Sequence, residues 1–338
     1  MSVTRTTRTA AVFAAVAALA LTGCSRGSES TADGSASGKA SGHRSATLIM
    51  STLNNPFFVS VGNGARSQAA KSGVKLSMQN ANNSDSTALN LATTAVSKQV
   101  GALIIDPVSS TSATASVKQA NGAHIPVLAF DRKPESGTLS SFVGYDAIQA
   151  GRNAADALAK SLGEKGTIVE VQGLLGTNVA QDRSKGFQEE IAKYPKIKTV
   201  AKQAADFDRA KALDVMTNIL QAHPDIDGVY AANDEMAMGA LAALKSRGLA
   251  GKVKLVGNDG IADALAAVRA GTMYATNAES PYALGQKVVS LTGDVLDGKK
   301  VAGEEVLQGR LVTKSTVKSY ADYLVGIGDS ADVPASLR

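Results

Sequence analysis

From residue 46 onward, short apolar runs alternate with longer stretches in which apolar residues recur at helical spacing. The apolar runs, many of them rich in β-branched residues, are the predicted strands: 47–50, 74–78, 102–105, 127–130, 142–144, 167–171, 198–201, 228–231, 254–256 and 274–277. Each is short and apolar on both faces, as the central strands of a parallel sheet are. Residues 207–223 illustrate the helices between them, because Leu213, Met216 and Leu220 share one face and Pro224 ends the pattern.

This alternation predicts a doubly wound α/β fold. Ten or more strands exceed what one open sheet usually holds, so we expect two Rossmann-like lobes, with the break near residues 145–146. Ligands of such folds bind beyond the carboxyl ends of the strands. The residues that follow the predicted strands are therefore the candidates for function.

Polar, charged and aromatic side chains recur at these strand ends, on Asn55, Phe57, Phe58, Asp106, Asp131, Arg132, Arg183, Phe207, Asn233, Asn258, Asp259 and Glu279. Helix capping is the simpler explanation for single Asp and Asn residues, and we assign Asp85, Asp146 and Asp234 mainly to it. Capping does not explain arginines or aromatic rings at these positions. A core role for the rings remains the alternative.

A carbohydrate matches this set of side chains. Its hydroxyl groups both donate and accept hydrogen bonds, so carboxylates and amides can take the donors while arginine supplies paired donors. The apolar C–H faces of a sugar ring pack on aromatic side chains. Two lobes that close over the ligand would exclude water and strengthen each polar contact.

The first residues predict export. Arg5 and Arg8 precede an apolar stretch over residues 10–21, which is shorter than the roughly 20 residues of a membrane span. Gly23 and Cys24 then complete a pattern typical of a lipoprotein signal, and Cys24 is the one cysteine of the chain, so no disulfide partner explains it. We predict a signal peptide over 1–23 and lipidation of Cys24. Residues 24–45, rich in Ser, Gly and Ala, are predicted to form a flexible tether.

Charge excludes one class of partner. Lys and Arg number 35 against 30 Asp and Glu, and the predicted signal peptide removes Arg5 and Arg8, which leaves a mature charge of +3. That mild excess, without a run of basic residues, gives no nucleic-acid track. The three histidines, His43, His124 and His223, lie away from the strand-end groups, and the sequence contains no nucleophile elbow, P-loop or metal-spaced cluster. We therefore expect no enzyme activity, cofactor or metal.

Several longer motifs are similar to the ribose-binding proteins of bacterial ABC importers, within the type I periplasmic sugar-binding proteins. They cover residues 51–60, 131–132, 205–209, 222–225 and 233–240, and the similarity is nearly collinear from Ala46 to about Lys314. The resemblance implies two lobes joined by three crossovers. It implies a first lobe of 46–145 plus 280–308 and a second of 146–279 plus 309–325.

The resemblance also implies roles for the strand-end residues. Asn55, Phe57 and Phe58 match the first-lobe asparagine and aromatic pair of the family, and Asp131 with Arg132 matches the pair that grips ring hydroxyls. In the second lobe, the matching ligand positions are Arg183, Phe207, Asn233 and Asp259.

Three positions depart from the ribose pattern. Asp106 stands where ribose-binding proteins usually carry Asn, Asn258 where they carry Phe, and Glu279 where they carry Gln. If every carboxyl in the site ionises, two negative charges remain uncompensated, which is costly in a closed cleft. One carboxyl is protonated, or one side chain points out, or the ligand is richer in donors than ribose. We predict a hexose, a polyol or an amino sugar rather than ribose.

The resulting prediction is a monomeric, lipid-anchored protein on the outer face of the cytoplasmic membrane. It would bind a sugar or polyol and deliver it to an ABC permease. A sugar-responsive transcription regulator shares the fold, but it would need a DNA-binding helix pair where this chain has its predicted signal peptide. A sensory receptor subunit, for chemotaxis or quorum signals, would use the same cleft, and the sequence does not separate it from an importer component.

Overall fold

The computed structural model describes residues 44–338. The predicted signal peptide, Cys24 and nearly all of the predicted tether lie outside this range. Within it, no helix combines the length and the apolar character that a membrane span requires.

The strands alternate with helices as the sequence pattern predicts. The strands are β1 Ser45–Met50, β2 Lys75–Asn80, β3 Ala102–Ile105, β4 Val127–Phe130, β5 Ser141–Tyr145, β6 Lys165–Gln172, β7 Lys196–Ala204, β8 Gly228–Ala231, β9 Lys254–Asp259, β10 Ala275–Ala278, β11 Glu304–Leu307 and β12 Arg310–Thr313. The helices are α1 Pro56–Ser72, α2 Asp85–Ser97, α3 Ala113–Gly122, α4 Ala147–Ser161, α5 Asn178–Ile191, α6 Arg209–Ala222, α7 Asp234–Ser246, α8 Ala262–Ala270, α9 Pro281–Leu296 and α10 Val317–Gly326, followed by a 3-10 turn at Ala335–Leu337.

These strands form two separate six-stranded sheets, which confirms the two-lobe α/β fold. The first sheet has the order β11-β5-β4-β3-β1-β2, and the second has the order β12-β10-β9-β8-β6-β7. Pairing is parallel throughout except between β12 and β10. In each sheet the winding direction reverses beside the first strand of the lobe, β1 or β6, which is where such folds bind ligands.

The chain passes between the two sheets three times. It leaves the first sheet after β5, returns to it with α9 and β11 after β10, and crosses again between β11 and β12. The Tyr145 hydroxyl, at the first crossover, donates a 2.9 Å hydrogen bond to the carbonyl of Ser280 in the second. The crossovers are therefore bonded to each other as well as to the lobes.

Helices beside the crossovers pack on each other through unusually close glycine contacts. A Cβ on Gly64 of α1 would lie 2.0 Å from the carbonyl oxygen of Tyr282 in α9, and a Cβ on Gly285 of α9 would lie 2.0 Å from that of Val61. Gly151 and Gly186 make the equivalent pair between α4 and α5. In each lobe, then, the helices beside the crossovers approach backbone to backbone.

The outer strands differ from the prediction. β11 and β12 were not predicted, because they are four-residue edge strands without an apolar run. β7 is nine residues long and mostly exposed, so the expectation of strands apolar on both faces is wrong for this edge. Edge strands commonly carry lysine, which discourages pairing with another chain, and Lys196 and Lys202 are exposed on β7.

Capping was assigned correctly for one of the three aspartates. Asp146 caps α4 by accepting from the backbone N–H of Gln149. Asp85 does not cap α2, because Ser84 does, and Asn233 rather than Asp234 caps α7. Asp234 is fully buried and instead accepts from the backbone N–H groups of Gly260 and Ile261.

Candidate functional site

A cavity lies between the lobes at the carboxyl ends of the strands. Its walls come from both lobes and consist of Asn55, Phe57, Phe58, Asp131, Arg132, Val179, Arg183, Phe207, Asn233 and Asp259. Nine of the twelve predicted ligand-binding residues therefore line one cavity. Val179 was not predicted, although it precedes Arg183 by one helical turn and so shares its face of α5.

Asp106, Asn258 and Glu279 lie behind this lining. All three are buried, with exposed fractions of 2%, 0% and 1%. They contact the lining residues rather than the cavity itself, as described below.

The aromatic residues hold an arginine between the lobes. Phe57 and Phe58 follow the N-cap Asn55 at the start of α1 and pack edge to face, with ring centroids 5.3 Å apart. The Arg132 guanidinium lies 5.3 Å from the Phe58 ring and 5.7 Å from the Phe207 ring of the other lobe. Both distances are within the range of a cation–π interaction, so this arginine links the two walls of the cleft.

Four residues at the cleft adopt a backbone conformation that side chains other than glycine rarely take. The φ angles are 56° at Asp131, 54° at Asp206, 62° at Phe207 and 126° at Asp259. Such conformations cost on the order of 1–3 kcal/mol each and cluster at functional sites. Here they turn the chain sharply at strand ends that face the cavity.

On the first lobe, Asp106 and Asp131 flank Arg132. The Oδ2 atom of Asp106 accepts from the backbone N–H of Ser51 at 3.2 Å, and its Oδ1 atom lies 3.8 Å from the Arg132 Nε atom without a hydrogen bond. Burial raises the pKa of Asp106 to about 7, although Arg132 acts to lower it. Burial also raises the pKa of Asp131, and both site arginines oppose the rise.

On the second lobe, Arg183 is held by protein groups. Its Nη2 atom donates to Glu279 at 2.8 Å, and its Nη1 atom donates to the carbonyl of Ala232 at 3.0 Å and lies 3.5 Å from Asp259. Burial raises the pKa of Asp259 well above its ordinary value and also raises that of Glu279, while Arg183 acts to lower both. Asn258 donates to the other oxygen of Glu279 at 3.1 Å. Two of the three departures from the ribose pattern are thus in direct contact.

The positions of the site carboxylates exclude one of the three explanations for the two uncompensated negative charges. None of the four site carboxylates points into solvent, since the Asp131 side chain is 10% exposed and the other three are less exposed. Pointing outward is therefore excluded as the explanation of the acidic excess. Partial protonation and a donor-rich ligand remain.

The lobes touch at the rim of the cleft. The backbone N–H of Ser110 donates to the carbonyl of Gly176 at 3.1 Å, and the backbone N–H of Lys133 donates to the Asn178 side chain at 2.9 Å. Ser110 and Lys133 belong to the first lobe, and Gly176 and Asn178 to the second. The structure is therefore a closed form.

Comparison with known proteins identifies the family. Residues 46–300 match the family described as periplasmic binding protein domain. The ribose import binding protein of Salmonella typhimurium is 41% identical over 267 residues, which cover 79% of this chain and 90% of that protein.

Similar solved structures belong to solute-binding proteins, in agreement with the family match. An ABC transporter periplasmic solute-binding protein of Actinobacillus succinogenes with bound D-allose has a TM-score of 0.79 and 31% identity, over 82% of this chain and 99% of that one. A solute-binding protein of Bacillus halodurans with bound myo-inositol has a TM-score of 0.80 and 28% identity, over 83% of this chain and 98% of that one. The chain belongs to the periplasmic binding proteins, and within them to the type I sugar-binding proteins that its sequence resembles.

Proposed function

We propose that this protein captures a monosaccharide or polyol outside the cytoplasmic membrane and delivers it to an ABC permease. The observation that carries the proposal is the cavity between the lobes, which two arginines, two carboxylates and three aromatic rings line from both sides. A polyhydroxy ligand would satisfy donors and acceptors of both lobes at once. As a member of a family of solute-binding transport components, the protein is not an enzyme.

The site favours a neutral or cationic ligand over an acidic one. Asp131 and Asp259 line the cavity, and the charge of Arg183 is already neutralised by Glu279. A sugar acid or sugar phosphate would bring its charge against these carboxylates. We therefore propose a hexose, a polyol or an amino sugar, with ribose less favoured because Arg183 is engaged by Glu279 and position 258 lacks an aromatic ring.

Delivery follows from closure. Ligand contacts to both lobes stabilise the closed form relative to the open one, and closure brings Ser110 and Gly176 together at the rim. The permease would recognise this closed surface. The same closure would serve a sensory receptor, so the partner is the point at which the two roles differ.

The membrane anchor is a separate part of the proposal. It is supported by the sequence before Cys24 alone. A Cys24→Ser variant is expected to leave the membrane fraction of the producing cell, and its retention there would contradict the anchor.

Calorimetric titration tests the ligand class. We expect binding to at least one of D-allose, D-galactose, D-glucosamine, myo-inositol and xylitol, and weaker or no binding of D-ribose, glucuronate and ribose 5-phosphate. Asp131→Asn should weaken binding about 10- to 100-fold, because a charge-assisted hydrogen bond is lost while the shape of the side chain is kept. Tight binding of ribose with no response to the hexoses or polyols would contradict the ligand assignment. Normal binding by Asp131→Asn would contradict the assignment of the cleft.

A further inference from the structure

A line of hydrogen-bonded polar side chains leads from the exposed Gln149 on the surface of the second lobe to the buried Arg183. It consists of Gln149, Asn153, Asn277, Asn258 and Glu279, which we call the relay. The successive hydrogen bonds measure 2.8 Å from Gln149 to Asn153, 3.3 Å from Asn153 to Asn277, 3.1 Å from Asn277 to Asn258 and 3.1 Å from Asn258 to Glu279. The cavity lining does not include Gln149, Asn153 or Asn277.

Every bond of the relay points the same way. Each amide donates its N–H toward Glu279 and accepts through its carbonyl oxygen from the residue before it, once Gln149 has begun the line. Hydrogen bonds arranged in one direction polarise each other. The line ends on a carboxylate, a group that only accepts when ionised.

Glu279 is fully used by the protein. One carboxylate oxygen accepts from Asn258, and the other accepts from Arg183 at 2.8 Å. A glutamine in its place would direct its own N–H donor at either Asn258 or Arg183, both of which are donors here. The role of Glu279 is therefore to fix the Arg183 guanidinium, whose Nε atom is buried and has no partner among the described residues.

The relay also touches each of the three crossovers. Gln149 and Asn153 lie in the first turns of α4, directly after the first crossover, and Glu279 is part of the second. Gly309 lies in the third, where a Cβ would come within 3.2 Å of the Asn277 Nδ2 atom and 3.5 Å of the Glu279 Cγ atom. A change in the geometry of the crossovers is therefore expected to displace residues of the relay.

We propose that the relay is the positioning device of Arg183, which fixes the guanidinium against the ligand and ties its placement to the geometry of the three crossovers. Asn153 and Asn277 are then positioning residues for binding although neither reaches the ligand. This inference rests on the proposed sugar-binding function of the cleft.

The first test compares two matched amide substitutions. Asn277→Asp places an oxygen against the Asn258 carbonyl oxygen, so either that bond or the Asn258–Glu279 bond is lost. Asn121→Asp in the first lobe does the same to the bond that Asn121 donates to the Thr138 carbonyl, far from the cleft. Both should lower thermal stability. Only Asn277→Asp should weaken binding of D-allose or myo-inositol, whichever the unchanged protein binds, by about 10-fold.

A double-variant cycle separates positioning from general damage. Glu279→Gln already breaks the end of the relay, so adding Asn277→Asp to it should cost little further affinity. Additive losses from the two substitutions would overturn the proposal. So would an Asn277→Asp protein that binds as tightly as the unchanged one.

A glycine pair tests the third crossover and does not depend on Asn277→Asp folding. Gly309→Ala pushes on Asn277 and should weaken binding, whereas Gly303→Ala, whose Cβ meets nothing within 4 Å, should not. Equal affinities for the two variants would contradict the link to the crossovers.

A measurement without ligand keeps this inference separate from the proposed function. The Arg183 Nε–Hε resonance, assigned by its loss in Arg183→Lys, should shift in Gly309→Ala and Asn277→Asp but not in Gly303→Ala or Asn121→Asp. If no sugar or polyol binds the unchanged protein, the proposed function fails, and this resonance still decides whether the relay positions Arg183. An unshifted resonance in all four variants overturns the relay.

Discussion

Arg132 and Arg183 face the same cavity but are held by different chemistry. Arg132 lies between the aromatic rings of both lobes, and its guanidinium donates to the backbone carbonyl of Pro107 at 3.1 Å. Arg183 is held by Glu279 and by a backbone carbonyl within its own lobe. The first arginine thus depends on lobe closure for part of its surroundings, whereas the second is in place before the lobes meet.

We predict that the stability of the protein depends on pH through Asp106. Its pKa is about 7 in the folded protein against an ordinary value of 3.8, because burial favours the protonated form. The folded state therefore holds this proton more strongly than the unfolded state. The associated stability is fully present below 3.8 and is lost as the pH rises through about 7. Asp106→Asn cannot ionise and does not share this loss.

Denaturant unfolding between about pH 4 and pH 8 tests the predicted effect of Asp106 on stability. The unfolding free energy of the unchanged protein, relative to that of Asp106→Asn, should fall as the pH rises across this window. Parallel curves for the two proteins would show that Asp106 does not titrate as its burial implies.

The sequence predicted which residues line the cavity but not how the buried side chains behind them contact each other. The order of strands and the residues at their ends predicted nine members of the cavity lining, because parallel strands bring their carboxyl ends to one edge. Neither pattern nor spacing could show that Asn258 and Glu279 bond to each other, since they lie on different strand ends and side-chain direction decides the contact. Nor could it place Asp106 behind Arg132 rather than beside it in the cavity.

At the scale of elements, the glycine contacts between helices set how closely each lobe packs beside the crossovers. Gly64 and Gly285 let the backbones of α1 and α9 touch, so any side chain there must separate the helices. We expect Gly64→Ala to destabilise the protein by about 1–3 kcal/mol, as overpacking does. Gly122→Ala at the end of α3, where a Cβ meets nothing within 4 Å, should instead stabilise it by about 0.5–1 kcal/mol.

Equilibrium unfolding of both variants in denaturant distinguishes the two effects. Similar stabilities for Gly64→Ala and Gly122→Ala would mean that α1 and α9 can move apart at little cost. The sequence predicted these helices from their periodicity, but it gave no sign of which glycines make the contact, because a close approach depends on a partner more than 200 residues away.

At the scale of the molecule, contacts at the rim favour the closed form directly. Asn178 accepts from the backbone of Lys133 in the other lobe at 2.9 Å. Removing that bond in Asn178→Ala destabilises the closed form relative to the open one by about 0.5–1.5 kcal/mol, so sugar affinity should fall by about 2- to 10-fold. Asn90→Ala, at an exposed position on α2, is the matched control.

Calorimetry with the sugar or polyol that binds, together with the radius of gyration from small-angle scattering, measures this shift. Without ligand, Asn178→Ala should have the larger radius. Unchanged affinity and radius would mean that the rim bond contributes nothing to closure. Such contacts could not be predicted from the sequence, because they form between loops of two lobes whose relative placement no local pattern encodes.

The triple crossing of the chain has a consequence for how the protein comes to fold. The first sheet is complete only when β11 pairs with β5, and α1 is covered only when α9 packs on it. Both partners lie beyond residue 280, so nearly the whole chain must be synthesised before the first lobe can close its core. Contacts so distant along the chain slow folding. We therefore expect the first lobe to lack its complete core through most of synthesis, a condition compatible with threading the polypeptide across a membrane.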